Sequence, residues 1–174
     1  MKKFLSILVV WLAISMSVFA KTAREELASL PYETQVVVLT LLAEAVSDGP
    51  RGMYAVGCVI QQRQIERKLS PAQVCRQKLQ FSSWNGKSKS DLLEQFGNEP
   101  EHLVRFAVHT ANRITKNEDL DRSVVGFANH FCGIGSNPWW AKGLIPAAII
   151  GGHELYVVGR SAGEQTVIDP PETG

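Results

Sequence analysis

Cysteine is scarce in this chain: Cys58, Cys75 and Cys132 are its only three in 174 residues. Such a count permits at most one intrachain bridge, so a disulfide-held miniprotein is excluded and the fold must rest on packing. His-Glu-x-x-His, Cys-x-x-Cys, a glycine-rich phosphate loop and a serine elbow are all missing. His102, His109, His130 and His153 share no metal-like spacing. These gaps speak against the common zinc and nucleotide sites, and no metal or cofactor is expected. An excess of one charge is missing too, with 18 Lys and Arg against 17 Asp and Glu. That balance does not fit a basic nucleic-acid binder. Internal repeats, heptads and low-complexity tracts are also lacking.

The beginning of the chain is informative. Lys2 and Lys3 precede an apolar run from Phe4 to Ile14, and Val18-Phe19-Ala20 supplies small side chains for a cleavage site. This layout predicts a secretory signal peptide over residues 1–20, cut after Ala20. The alternative is a retained anchor, but the run is barely long enough to span, and Ser15 and Ser17 weaken it. Removing Lys2 and Lys3 from the 18 basic side chains leaves 16 against 17 acidic ones, so the exported form is near neutral. A length of roughly 150 residues can bury one core and predicts one domain. We expect that domain over residues 21–160, followed by a mobile tail over 161–174 that carries Pro170 and Pro171.

Helix signals dominate the first part. Thr22-x-x-Glu25 reads as a capping box. Tyr32 to Ala45 is apolar on most sides, which predicts a central buried helix, broken by Asp48-Gly49-Pro50. Met53, Val56, Gly57 and Ile60 fall at i, i+3, i+4 and i+7, with Gln61, Gln64 and Arg67 on the polar face. Ser70-Pro71-Ala72-Gln73 predicts another helix start. A short helix is expected over 90–96. An amphipathic one follows over 100–116, with Leu103, Phe106, Ala107, Thr110, Ala111 and Ile114 facing inward. The texture then changes. Ser123 to Phe131 reads as a strand, and Ala148–Ile150 and Leu155–Val158 as two more joined through Gly151-Gly152. Helices first and then a small antiparallel sheet near the C-terminus give an α+β fold class.

Glu44 is the carboxylate of most interest. It stands near the C-terminal end of a largely apolar helix, and both burial and the helix dipole disfavour its charged form there. A carboxyl kept protonated near neutral pH is what a general acid needs. Asp48 lies four residues on and shares Glu44's face if the helix extends that far. The plainer reading is that Glu44 closes the helix and meets Arg51 or Arg63. His130 ends a predicted strand, where a hydrogen-bonded structural role is the commoner one. Phe81, Trp84, Phe131, Trp139 and Trp140 fall in loops or at strand ends, where aromatics either stack on sugars or cover a core edge. Cys58 lies near an apolar helix face and is expected to be a buried free thiol. A Cys75–Cys132 bridge is left open.

Several segments together resemble the catalytic domain of the cell-wall hydrolases typified by spore-cortex-lytic enzymes. They are Leu41-Leu42-Ala43-Glu44-Ala45 with Gly52 to Arg63, and Val74-Cys75 with Gln80-Phe81-Ser82-Ser83-Trp84. Then come Gly126-Phe127-Ala128-Asn129-His130-Phe131 with Trp139-Trp140-Ala141, and Ile150-Gly151-Gly152-His153-Glu154-Leu155-Tyr156. They occur in the family's order and cover about Leu41 to Tyr156. The resemblance implies a lysozyme-like domain that cleaves peptidoglycan glycan strands between N-acetylmuramic acid and N-acetylglucosamine, several members acting as lytic transglycosylases. It implies Glu44 as the catalytic acid/base and His130 and Asp48 as supporting groups. Trp84, Asn129, Phe131, Trp139 and Trp140 become sugar-binding surface. The implied partner is the glycan strand, met in the periplasm or outside the cell at the wall, with no nucleic acid and no stable membrane insertion after signal cleavage.

The chain departs from the family pattern at three places. Val46-Ser47-Asp48 replaces a turn with Arg-Gly-Glu character, Gln62 stands where Asn is common, and Ser83 stands where Cys is common. A catalytically weakened peptidoglycan-binding protein and a structural envelope protein are the other classes compatible with the same residues.

Overall fold

The computed structural model describes residues 23–159. The predicted signal, the Thr22 cap and the predicted tail lie outside the described residues. Among the described residues, six α-helices precede the sheet: α1 Ala23–Ser29, α2 Tyr32–Ala45, α3 Gly49–Arg67, α4 Pro71–Arg76, α5 Lys89–Phe96 and α6 Glu101–Thr115. Three strands follow: β1 His130–Gly133, β2 Ala148–Ile150 and β3 His153–Tyr156. The α+β class read from the sequence is the class of the structure.

Helix α2 is the axis of the domain. Val36, Val37, Val38, Leu39, Leu41 and Leu42 are fully buried on it, and α3, α4, α5 and α6 all pack against it. Each such side chain contributes roughly 1.5–3 kcal/mol by leaving water. The helix ends at Ala45, and a 3-10 turn over Val46–Asp48 leads into α3. Asp48-Gly49-Pro50 is therefore the break expected of it, with Gly49 at φ 66° and Pro50 in the first turn of α3.

Local caps fix the shorter helices. At α4, Ser70 accepts from Gln73 N while the Gln73 side chain accepts from Ser70 N, a reciprocal capping box. Glu33 reaches from α2 to the same end, accepting from Ser70 Oγ at 2.9 Å and Ala72 N at 2.8 Å. At α5, Ser88 and Asp91 form a second box, which starts the helix at Lys89, one residue earlier than the sequence reading.

Two predicted faces are shifted. On α6, Val104 is fully buried, while Leu103 and Phe106 are only half-buried against the core. On α3, Gln61, Gln62 and Arg63 are all buried, although the sequence pattern puts Gln61 on the polar face. Gln61 is inside because it pins the chain after α6, donating to Glu118 O at 2.9 Å and accepting from Leu120 N at 2.8 Å.

The sheet has the order β1-β3-β2 and both pairings are antiparallel. Phe131 lies opposite Leu155 and His130 opposite Tyr156; Ala148 also lies opposite Leu155, on β2. The strand read over Ser123–Phe131 is mostly not one. Arg122–Val125 is a 3-10 turn, and only His130 onward is extended. Asp121 accepts from Ser123 N at 3.2 Å, and Gly126 and Phe127 both take left-handed φ of 58° and 57°. This local capping overrides the strand propensity of Val124, Val125 and Phe127. Likewise β3 ends at Tyr156, because Val158 N turns to Asn129 Oδ1 at 2.9 Å.

Candidate active site

Two turns of α2 hold the loop that follows α4. Thr40 Oγ1 donates to Val36 O at 2.8 Å and accepts from the Trp84 indole N–H at 2.9 Å. One turn further, Glu44 Oε1 accepts from Ser83 N at 3.0 Å. Phe81 is buried beneath this short Ser82–Trp84 turn. Glu44 itself is half-buried, and no ion pair joins it to Arg51 or Arg63. It is thus a carboxyl with one oxygen anchored by a backbone N–H and a side chain that water reaches.

Arg63 stands behind that loop. It is buried, with Nε donating to Asn129 O at 2.6 Å and its guanidinium 5.1 Å from the centre of the Phe81 ring. Burial, and then the charge of Arg67, lower its pKa to about 9 against the pull of Cys75, Glu66 and Glu44. It stays charged at neutral pH and ties the Phe81 loop to the start of β1.

Asp48 is not on α2, because the helix stops at Ala45. Its Oδ2 lies 2.8 Å from His153 Nδ1, with the two side chains 16% and 14% exposed. Nδ1 is out of reach of solvent and lacks the alignment of a full hydrogen bond. The contact is therefore a close approach of the carboxylate to the ring nitrogen rather than a collinear bond. Gly151 makes room for it. Its φ is +60°, and a Cβ there would meet Asp48 Cγ at 2.5 Å.

Strand alternation sorts the remaining candidates. Phe131 faces the helices, with its ring 6.0 Å from Phe81 and edge-on to His153 at 5.1 Å. His130 faces the other way, its ring tilted by 51° against Trp140 at 5.1 Å, and Trp140 meets Tyr156 edge-on at 5.6 Å. The sheet thus brings Phe131 together with the Asp48–His153 pair, and places His130 and Trp140 on its opposite face. Burial first, then Arg63 and Arg67, lower the His130 pKa to about 4, so its ring is neutral at physiological pH.

The other predicted sugar contacts divide. The Asn129 amide is spent internally: Nδ2 donates to Glu66 Oε2 at 3.0 Å and Val158 O at 2.9 Å. Its Oδ1 accepts from Val158 N at 2.9 Å and lies 2.9 Å from His130 Nδ1. This leaves little capacity for a ligand. Trp84 has its N–H committed to Thr40, and Arg76 covers its ring at 4.6 Å. Trp139 is 52% exposed and offers an open ring.

Sequence reading missed His153 and the N–H of Ser83. The first had a signal: two consecutive glycines before a histidine mark a place where a neighbour approaches the backbone closely. The second had none, because a backbone donor has no residue type. All three cysteines are free, so the Cys75–Cys132 bridge left open by the sequence is not formed.

The fold is an α+β domain in which Glu44 of α2 meets the Ser82–Trp84 turn and Asp48 meets His153 of the sheet. No family model, no curated protein and no solved structure matches the chain.

Proposed function

We propose that this domain cleaves peptidoglycan glycan strands between N-acetylmuramic acid and N-acetylglucosamine, as a lytic transglycosylase with Glu44 as its acid and base. Glu44 first protonates the bridging oxygen, and the C1–oxygen bond breaks as positive charge builds on the muramic ring. The resulting carboxylate then takes the proton of the muramic C6 hydroxyl as that oxygen closes on C1, leaving a 1,6-anhydro end. One carboxyl performs both transfers, unlike the paired groups of ordinary glycosidases.

The observation that carries this reading is the Glu44–Ser83 contact, with Arg63 near enough to feel the Glu44 charge but not in ion-pair contact with it. An arginine in contact would hold a carboxylate ionised and fully occupied. A single backbone donor instead orients one oxygen and leaves the other for proton transfer. The family resemblance through Glu44-Ala45, Phe81 to Trp84 and Asn129-His130-Phe131 names the substrate. Export, motivated by residues 1–20, would bring the chain to it.

The test is digestion of purified peptidoglycan by residues 21–174, with muropeptides read by mass spectrometry. Glu44→Gln keeps size and most hydrogen bonding but removes the transferable proton. Release should fall by at least about 100-fold, with little change in melting temperature. Equal release by parent and variant would remove Glu44 from the chemistry. Binding of peptidoglycan without any release would favour a wall-binding protein instead.

A further inference from the structure

We propose that His153, held by Asp48, is a second acid/base group that works with Glu44 and gives the domain a hydrolytic outcome as well as transglycosylation. The inference rests on the glycan-cleaving reading above and concerns the fate of the muramic C1.

Asp48 occupies the N-cap position of α3, where an aspartate ordinarily accepts a hydrogen bond from the first turn. Its side chain makes no such bond. It turns instead to His153 on the β2–β3 hairpin, at 2.8 Å. Room for that carboxylate comes from glycines on two separate elements. A Cβ on Gly52 of α3 would stand 2.3 Å from Asp48 Cβ, and one on Gly151 of the hairpin 2.5 Å from Asp48 Cγ. The Phe131 ring meets the imidazole edge-on at 5.1 Å and fixes its plane. Nδ1 is sealed from solvent while the side chain is 14% exposed, so its exposure lies on the other atoms.

A carboxylate beside Nδ1 favours the tautomer that carries its proton there and leaves Nε2 with a lone pair. Such a pair is a water-activating base. Glu44 gives its proton to the bridging oxygen as the C1–oxygen bond breaks. Water attacks C1, and its proton passes to Nε2, giving an imidazolium beside Asp48. That proton returns to the Glu44 carboxylate through solvent. The net reaction consumes one water and leaves a reducing muramic end. Loose alignment before substrate binds is common for such groups, which tighten in the complex.

The products distinguish the two fates, since a reducing end and a 1,6-anhydro end differ by one water. The parent, digesting peptidoglycan in water enriched in oxygen-18, should release both, with the label only on reducing ends. His153→Gln and Asp48→Asn should each lower the reducing fraction by at least about tenfold while anhydro ends are still formed. Glu44→Gln should remove both. A parent that yields only anhydro ends overturns the inference and leaves the glycan-cleaving reading standing. So does a variant pair that lowers both products in equal proportion. A parent that releases neither product overturns both.

Discussion

His130 and Phe131 are consecutive on β1, yet their rings belong to different faces of the sheet: His130 packs at a tilt on Trp140 and Phe131 packs between Phe81 and His153. One peptide unit thus separates two environments. The Phe131 face joins the helical core and the Asp48 pair. The His130 face carries Trp140, Tyr156 and Glu154, with Tyr156 donating to Glu154 Oε2 at 2.9 Å.

This separation has an energetic signature. Phe131→Ala should cost about 2–3 kcal/mol, at or below the usual loss for a buried phenylalanine because the ring is only half-buried. Trp140→Ala should cost less, since it covers an edge. Without a shared contact the two losses should add to within about 0.5 kcal/mol. Urea unfolding of the parent, both single variants and the double variant measures the coupling. A larger coupling would mean that the rings meet.

Ser83 contributes its backbone and not its hydroxyl. Its N–H holds Glu44, whereas its Oγ is buried without a partner. Removing an unsatisfied buried hydroxyl relieves roughly 1 kcal/mol or more. Ser83→Ala should therefore raise the melting temperature and keep muropeptide release, and Ser83→Cys, the residue common in the resembled family, should behave likewise. Ser83→Pro removes the donor and should lower release while the α2–α6 core stays folded by circular dichroism. A loss of release in Ser83→Ala would transfer the role to the hydroxyl.

The helices were legible because each has a local cause. Ser70 with Gln73, the Asp48-Gly49-Pro50 break and the all-apolar α2 act within a few residues, and local caps are written in residue types. The stretch from Ser123 to Phe131 was misread because side chains of strand character sit on a backbone set by Asp121 and Gly126, whose hydrogen bond and left-handed φ count for more. At the site, Glu44 was legible as a carboxyl at the end of an apolar helix. Its partner was not, since Ser83 acts through its backbone across 39 positions. Asp48 was read with Glu44 by helical spacing, but the helix ends at Ala45 and sends Asp48 to the sheet. Period-two alternation, applied to β1, would have separated His130 from Phe131 beforehand.

Thiol reactivity should follow burial. Burial first, and then the Asp121 carboxylate, push the Cys58 thiol up to about 12. Burial, against a Thr40 hydrogen bond and the Arg63 charge, pushes Cys75 up to about 12 as well. Neither forms thiolate near neutral pH, and thiolate is the reactive form. Cys132 is only half-buried. A colorimetric disulfide reagent should therefore label one thiol quickly in the native protein and three after denaturation, and Cys132→Ser should abolish the fast phase. A denatured count below three would reveal a bridge.

The neutral His130 makes stability depend on pH. Its pKa is about 4 in the folded chain against the ordinary 6.5. Between these values the unfolded chain binds the proton and the folded chain does not, so stability must rise with pH across that window. The contribution is fully present above about 6.5 and is lost as pH falls toward 4. The cause is burial, assisted by the positive charges of Arg63 and Arg67 and opposed by Glu66. His130→Gln keeps a polar group beside Asn129 and cannot titrate. Its melting temperature should therefore fall less steeply than the parent's between pH 6.5 and 4, the two curves drawing together as pH decreases. Arg67→Gln removes one of the opposing charges and should raise the His130 pKa, seen as a shift of its imidazole proton resonances to higher titration midpoint. Parallel melting curves for the parent and His130→Gln would mean that His130 titrates alike in the folded and unfolded chain, and would overturn the burial-driven shift.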